Sequence, residues 1–212
     1  MDITWLGHSC FRIRGREATV VANPCPPSTG YNIGKPTADI VTISDTDEGN
    51  KYVKAIAGKP VIISNPGEYE IHEAFITGIS TKGGAPDDPE PSRNLAFIVE
   101  MEGLKVCHLG SLGRSPTAEQ AEEMTGVDIL LIPVGGDDTI DGAKAAEIAS
   151  LLEARIVIPM RFKTDVSKGQ LDPPDRFLKE LGASAGEAQP KLSVSRSTVP
   201  SETKVILLDY KR

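Results

Sequence analysis

The run Asp128-Ile-Leu-Leu-Ile-Pro-Val134 is the stretch that most constrains the fold of this chain. It is a continuous apolar stretch of strand length, which is typical of a β-strand covered on both faces. A second such run, from Arg155 to Met160, follows a segment at 142–152 whose apolar residues recur at helical spacing. Strands that alternate with helices in this way place a sheet beneath outer helices. The second half of the chain is therefore predicted to be a layered α/β structure.

The first half is predicted to be mostly β-strand. Short stretches of alternating or β-branched apolar residues are separated by Gly, Pro and polar turn residues. The predicted strands are 3–6, 10–14, 18–21, 39–43, 60–64, 69–72, 74–79, 95–100 and 104–108. No linker divides the chain, so we predict a single domain over 1–212.

Composition excludes several classes of partner. The 212 residues carry a net charge of -7, which argues against nonspecific binding to nucleic acid. No apolar run approaches the length of about 18 residues that a membrane span requires. Three cysteines (Cys10, Cys25 and Cys107) form no close motif, so a disulfide framework is not expected. With no signal peptide visible at the N-terminus, we expect a cytoplasmic protein without a membrane partner.

Polar clusters follow three of the predicted strands. The strand at 39–43 runs into Asp45-Thr-Asp-Glu-Gly-Asn50, and the strands at 104–108 and 155–160 run into Ser111 and Arg161. Strand ends that deliver polar side chains are where α/β proteins tend to bind ligands. The candidate pocket residues are Asp45, Asp47, Asn50, His108, Ser111 and Arg161.

Several motifs, in order along the chain, resemble the metallo-β-lactamase-fold superfamily, in particular small bacterial metal-dependent hydrolases related to ascorbate lactonase. The stretches that carry the resemblance are 3–11, 38–42, 67–71, 106–110, 128–135 and 156–160. The resemblance implies a four-layer αββα sandwich, in which two sheets face each other between outer helices. It also implies a hydrolase whose metals lie at the edge formed by the strand ends.

The metal motif of that family is degenerate here. The family has His-x-His-x-Asp-His where this chain has Asp45 to Asn50. By the same resemblance, Ser111 stands where an aspartate bridges the metals, and Arg161 stands where the family has histidine. Lys82-Gly-Gly84 lies near another lost histidine position, and Asn23-Pro24 replaces the usual Asp-Pro. Zinc-type sites need nitrogen or sulfur ligands, so we predict that the dinuclear centre and its hydrolytic activity are lost.

Three interpretations of the acidic turn remain open. Arg161 would place a permanent positive charge where a dication should lie and could pair with Asp45 and Asp47. The acids could instead be a solvated turn and helix cap. Alternatively, Asp45 and Asp47 could hold a hard ion such as Mg²⁺ or Ca²⁺ in an active hydrolase of an ester, a lactone or a related small substrate. The leading prediction is a pseudoenzyme without a cofactor that has a binding or structural role toward an unknown small molecule.

Two of the histidines, His8 and His108, could each have a functional or a structural role. His8 lies at a strand break near the predicted edge, where it could act as a general acid or base or contact a substrate. The favoured interpretation is a buried histidine that satisfies backbone groups of the turn, and the same holds for His108. Family resemblance also allows a homo-oligomer.

Overall fold

The structure is a computed structural model that describes residues 1–45, 52–184 and 186–210. Two β-sheets make up most of it. Their strands are β1 (Asp2–Gly7), β2 (Cys10–Arg14), β3 (Thr19–Ala22), β4 (Ile40–Thr42), β5 (Val61–Ile63), β6 (Gly67–Ile71), β7 (Ala74–Gly83), β8 (Ser92–Met101), β9 (Leu104–His108), β10 (Ile129–Pro133), β11 (Ile156–Met160), β12 (Leu192–Ser193) and β13 (Lys204–Val205).

The first sheet has the order β12-β1-β2-β3-β4-β5. Its strands β1 to β3 form an antiparallel meander, whereas β4 runs parallel to both β3 and β5. The second sheet has the order β13-β11-β10-β9-β8-β7-β6, with β9, β10, β11 and β13 parallel to one another. The strands β6 to β9 are joined by antiparallel hairpins. Both sheets are therefore mixed.

The main core lies between the two sheets. Alternate residues of the first sheet, such as Ile3, Ile13 and Ile40, join one large buried cluster with apolar residues of the second sheet. The intervening residues, such as Leu6 and Val41, belong to a smaller cluster on the opposite face. This alternation follows from the two-residue repeat of a strand. The outer face of the first sheet is covered, within the described ranges, by loops and two short 3-10 turns at Pro27–Thr29 and Val53–Ala55.

Three helices are described: α1 (Ala118–Met124), α2 (Gly142–Leu152) and α3 (Asp175–Glu180). Helix α2 contacts β10 and both other helices, so this layer covers the second sheet. The two-sheet sandwich predicted from the sequence is confirmed. In the part of the chain that the structure describes, no helix is long and apolar enough to span a bilayer.

Helix α1 begins at a capping box. The N-cap of α1 is Thr117, since its side chain accepts from the backbone N–H of Gln120, whose own side chain accepts from the Thr117 backbone. This capping box fixes the start of α1, because it satisfies backbone N–H groups that have no partner within the helix. Between β4 and β5, the described residues form the 3-10 turn Val53–Ala55.

Candidate functional site

The C-terminal ends of strands from both sheets meet at one edge of the sandwich. Ser44, just after β4 of the first sheet, accepts at its carbonyl a hydrogen bond of 2.7 Å from the backbone N–H of Leu95 in β8 of the second sheet. The turn between β1 and β2 joins the same edge, because the carbonyl of Ser9 accepts from Nε2 of His108 at 2.8 Å. The edge therefore collects the polar residues that follow β1, β3, β4, β9 and β11. We call it the site edge.

Arg161 directly follows β11 of the second sheet at this edge, and its guanidinium is buried. The residue is 4% exposed and has a φ of 53°, in the left-handed region that side chains rarely adopt. Its backbone N–H donates to the carbonyl of His8 at 3.3 Å. Its Nη1 donates to Oγ of Ser111 at 2.7 Å, and its Nη2 donates to the carboxylate of Asp138. One ion-pair partner of Arg161 is thus Asp138, a residue that the sequence does not single out for this role.

The position of Asp138 follows from the register of two neighbouring strands. Pro133 in β10 lies opposite Met160 in β11, so the loops that follow these parallel strands leave the sheet side by side. Asp138 is in the first loop, and Arg161 begins the second. The contact between Asp138 and Arg161 can be predicted only when β10 and β11 are known to be adjacent strands.

His108 is a fixed, neutral part of the edge. Its Nδ1 accepts from the backbone N–H of Gly110 at 3.0 Å, which leaves the proton on Nε2 for the carbonyl of Ser9. Burial lowers the pKa of His108 from 6.5 to about 4, because the charged imidazolium would be taken out of water. Both ring nitrogens are engaged, so His108 holds the edge together and offers no lone pair to a metal.

His8, by contrast, is placed by its backbone. It is buried at a φ of 52°, and its carbonyl accepts from Nε1 of Trp5 at 2.8 Å as well as from Arg161. The turn that holds the imidazole at the site edge is therefore hydrogen-bonded to Trp5 of β1 and to Arg161 after β11.

Asp45 is buried directly after β4, where the structure places it at the site edge beside Ser44. The backbone N–H of Ser44 donates to Oδ1 of Asn23 at 2.9 Å, which ties the end of β4 to the end of β3. Asp47 and Asn50 fall at positions 46–51, outside the described residues. Their predicted place in the pocket stays a prediction.

Asn94 is a central residue that the sequence does not reveal. It is fully buried in β8, where its Nδ2 donates to Oγ1 of Thr81 at 2.7 Å and to the carbonyl of Leu109 at 2.9 Å. Its Oδ1 accepts from the backbone N–H of Ser111 at 2.8 Å. Asn94 thus fixes the turn that presents Ser111 to Arg161. The one signal in the sequence is an amide at the head of the apolar run from 95 to 99.

Gly110 makes this close packing feasible. It has a φ of 64°, and a Cβ at this position would lie 2.4 Å from Oδ1 of Asn94 and 2.5 Å from Cβ of Ser44. A side chain would therefore push apart the two sheets at the point where their strand ends meet.

Several buried polar atoms at the site edge have no hydrogen-bond partner among the described residues. They are Oγ of Ser9, Nδ2 of Asn23, Oγ of Ser44 and Nε of Arg161. Leaving such an atom unsatisfied costs about 1–3 kcal/mol. Asn23, like His8 and Arg161, also has a positive φ, of 46°. Strained backbone and unsatisfied donors of this kind concentrate at ligand-binding sites.

Among the described residues, the side chains at the family's metal-ligand positions are not zinc ligands. Two positions that the family resemblance assigns to metal ligands, Ser111 and Arg161, are hydrogen-bonded to each other. Thr81, beside another lost histidine position, is engaged by Asn94. Over 1–45, 52–184 and 186–210, no group of three or more His, Cys, Asp or Glu side chains is arranged to hold a metal ion.

Comparison with known proteins gives the family. A family model described as a β-lactamase superfamily domain matches residues 2–161. A UPF0173 protein of Pyrococcus furiosus is 29% identical over 197 residues, which cover 85% of this chain and 90% of that protein. A UPF0173 metal-dependent hydrolase of Thermoplasma acidophilum is 28% identical over 214 residues, or 88% of this chain and 92% of that protein.

Solved structures of similar proteins support the same assignment. A candidate Zn-dependent hydrolase of the metallo-β-lactamase superfamily from Thermotoga maritima is 37% identical, with a TM-score of 0.81 over 98% of this chain and 97% of that one. A candidate metal-dependent hydrolase from Parabacteroides distasonis, 17% identical, shares the fold with a TM-score of 0.66 over 99% of this chain and 93% of that one. The chain therefore belongs to the metallo-β-lactamase superfamily, among relatives named as metal-dependent hydrolases.

Proposed function

We propose that this protein is a metal-free member of its hydrolase family that binds a small polar molecule at the site edge. One observation carries the proposal: the Arg161 guanidinium lies buried against Ser111, so two metal-ligand positions of the family are joined by a direct 2.7 Å hydrogen bond. A guanidinium stays protonated at every pH at which proteins fold. It cannot become a ligand by losing its proton, as a histidine or cysteine can.

Electrostatics disfavour a dication beside this group. At a separation of about 4 Å and an effective dielectric constant of about 20, a unit charge and a dication repel by about 8 kcal/mol before neighbouring carboxylates are counted. Asp138 is committed to Arg161 rather than to an ion. The charge of the guanidinium thus takes the place that the charge of a metal has in a family site.

The remaining donors support a binding role. Nε of Arg161, Nδ2 of Asn23 and the hydroxyls of Ser9 and Ser44 are buried and unsatisfied within the described part of the chain. A ligand with several oxygen acceptors would satisfy them and would recover the free energy lost by their burial. We infer that the ligand is small, polar and rich in oxygen atoms.

The metal content of protein purified without chelators tests the loss of the centre. Inductively coupled plasma mass spectrometry should find no divalent ion at a stoichiometric level, and added Zn²⁺, Mg²⁺ or Ca²⁺ should leave the melting temperature unchanged. The matched variants are Asp45→Asn at the site edge and Asp87→Asn in the exposed loop between β7 and β8. One ion per chain that is lost in Asp45→Asn and retained in Asp87→Asn would overturn the proposal. It would support a hard-ion hydrolase instead.

A further inference from the structure

Two of the three thiols lie together beneath the loop that covers the first sheet. Cys10 begins β2, and Cys25 follows β3 in the loop that leads to the 3-10 turn Pro27–Thr29. Both are buried in the smaller apolar cluster, on the outer face of the sheet. Cys107 belongs instead to the large cluster between the sheets. The chain therefore contains a pair of thiols and one isolated thiol that can serve as a control.

The geometry places the two residues of the pair next to each other. Sγ of Cys25 lies 3.7 Å from the carbonyl of Gly7, and Gly7 is the residue directly opposite Cys10 in the β1–β2 pairing. A hydrogen bond from Cys10 is the largest influence on the Cys25 thiol and lowers its pKa. Burial raises the pKa of Cys107 to about 12, with no second thiol beside it. Cys25 is thus the thiol of the three that is most readily converted to a nucleophilic thiolate.

We propose that Cys10 and Cys25 form a redox dithiol that a hydroperoxide converts to a disulfide. The Cys25 sulfur attacks one peroxide oxygen, the O–O bond breaks, and the thiol proton leaves with the departing oxygen as water or an alcohol. The Cys10 sulfur then attacks the resulting sulfenic sulfur, and the sulfenic hydroxyl leaves as water with the Cys10 proton. Two thiols lose two protons and two electrons, and one peroxide is reduced.

Access to the pair runs through the surface loop. Cys25 itself is buried, but Pro27 and Ser28 are exposed. A hydroperoxide is small enough to reach Cys25 through local opening of such a short turn, which needs no global unfolding. The isolated Cys107 lies in a central strand and is protected from this route.

The cross-link would join two segments that build the site edge. Cys10 follows His8 by two residues and Ser9 by one, and Cys25 follows Asn23 by two. The disulfide would therefore connect the first residue of β2, next to the turn after β1, to the loop after β3. We expect the oxidised form to hold both segments more rigidly and to have a higher melting temperature, because the cross-link reduces the freedom of the unfolded chain.

Peptide mapping of the folded wild-type protein after treatment with hydrogen peroxide tests this proposal. Trypsin leaves Cys10 in peptide 1–12, Cys107 in 106–114 and Cys25 in 17–51, since Lys35 precedes Pro36. The expected result is a cross-linked pair of 1–12 with 17–51, an intact mass lower by about 2 Da, and recovery on addition of dithiothreitol. Peptide 106–114 should keep its free thiol.

Single variants complete the test. Cys107→Ala should retain the cross-link, whereas Cys25→Ala should abolish it. Loss of the Cys107 thiol at the same rate as the other two, or three free thiols after peroxide treatment of folded protein, would overturn the proposal. A cross-link between two molecules instead of within one would overturn it as well.

Discussion

The residues that support the site edge differ from those at the family's metal-ligand positions in what they contact. His108, Asn94 and Gly110 hold the strand ends together through bonds and close approaches to the backbone of neighbouring strands. Ser111 and Arg161, at two ligand positions, contact each other, and Arg161 also contacts Asp138. The contacts of His108, Asn94 and Gly110 do not depend on an ion, because each of them is made within the protein. The contacts that hold the strand ends together are thus separate from the contacts between Ser111 and Arg161.

The largest effect should come from breaking the support at Gly110. Gly110→Ala places a methyl group within 2.4 Å of Asn94 and imposes a left-handed φ on alanine, so we expect a loss of about 3–5 kcal/mol in the free energy of unfolding. Gly126→Ala is the matched control, since Gly126 also has a positive φ but nothing within 4 Å of its Cβ position. Urea denaturation should show a loss of about 1 kcal/mol for the control. Equal losses in the two variants would show that Gly110 is not closely packed.

The protonation of His108 should produce the next effect. Its pKa is about 4 in the folded protein and 6.5 as a free group, so between these values the unfolded chain binds a proton that the folded chain does not. Stability is therefore present above pH 6.5 and falls as the pH decreases toward 4, by up to about 1.4 kcal/mol per pH unit. His108→Gln should flatten this slope in denaturation curves measured across that range. His72→Gln, at an exposed hairpin position, should leave it unchanged.

Substitutions in the ion pair between Arg161 and Asp138 should have a smaller effect on the free energy of unfolding. Asp138→Asn leaves the buried Arg161 charge without its carboxylate, and because Asp138 is half exposed we expect a loss of about 1–2 kcal/mol. Arg161→Met leaves a solvated carboxylate and should cost less, about 1 kcal/mol or below. Asp137→Asn, at the exposed neighbouring position, is the control. If Asp138→Asn is silent and Asp45→Asn is costly, Arg161 pairs with the acidic turn instead.

The fold was predictable because it follows from patterns within single strands and helices. The apolar run at 128–134 became β10, and the helical spacing at 142–152 became α2 with Asp141 as its N-cap. The site was less predictable, because its contacts cross between elements. Arg161 and Ser111 could be selected by family resemblance, but Asp138 and Asn94 depend on which strands lie side by side. Sequence spacing does not contain that information.

Diffraction from crystals of the chelator-free protein soaked in Zn²⁺ tests most directly whether the guanidinium has replaced the metal. Anomalous data collected on both sides of the zinc absorption edge would locate any bound ion. We predict no anomalous peak at the site edge, and density for Arg161 that reaches both Ser111 and Asp138. An anomalous peak between Asp45 and Ser111, with Arg161 turned away from it, would contradict this account.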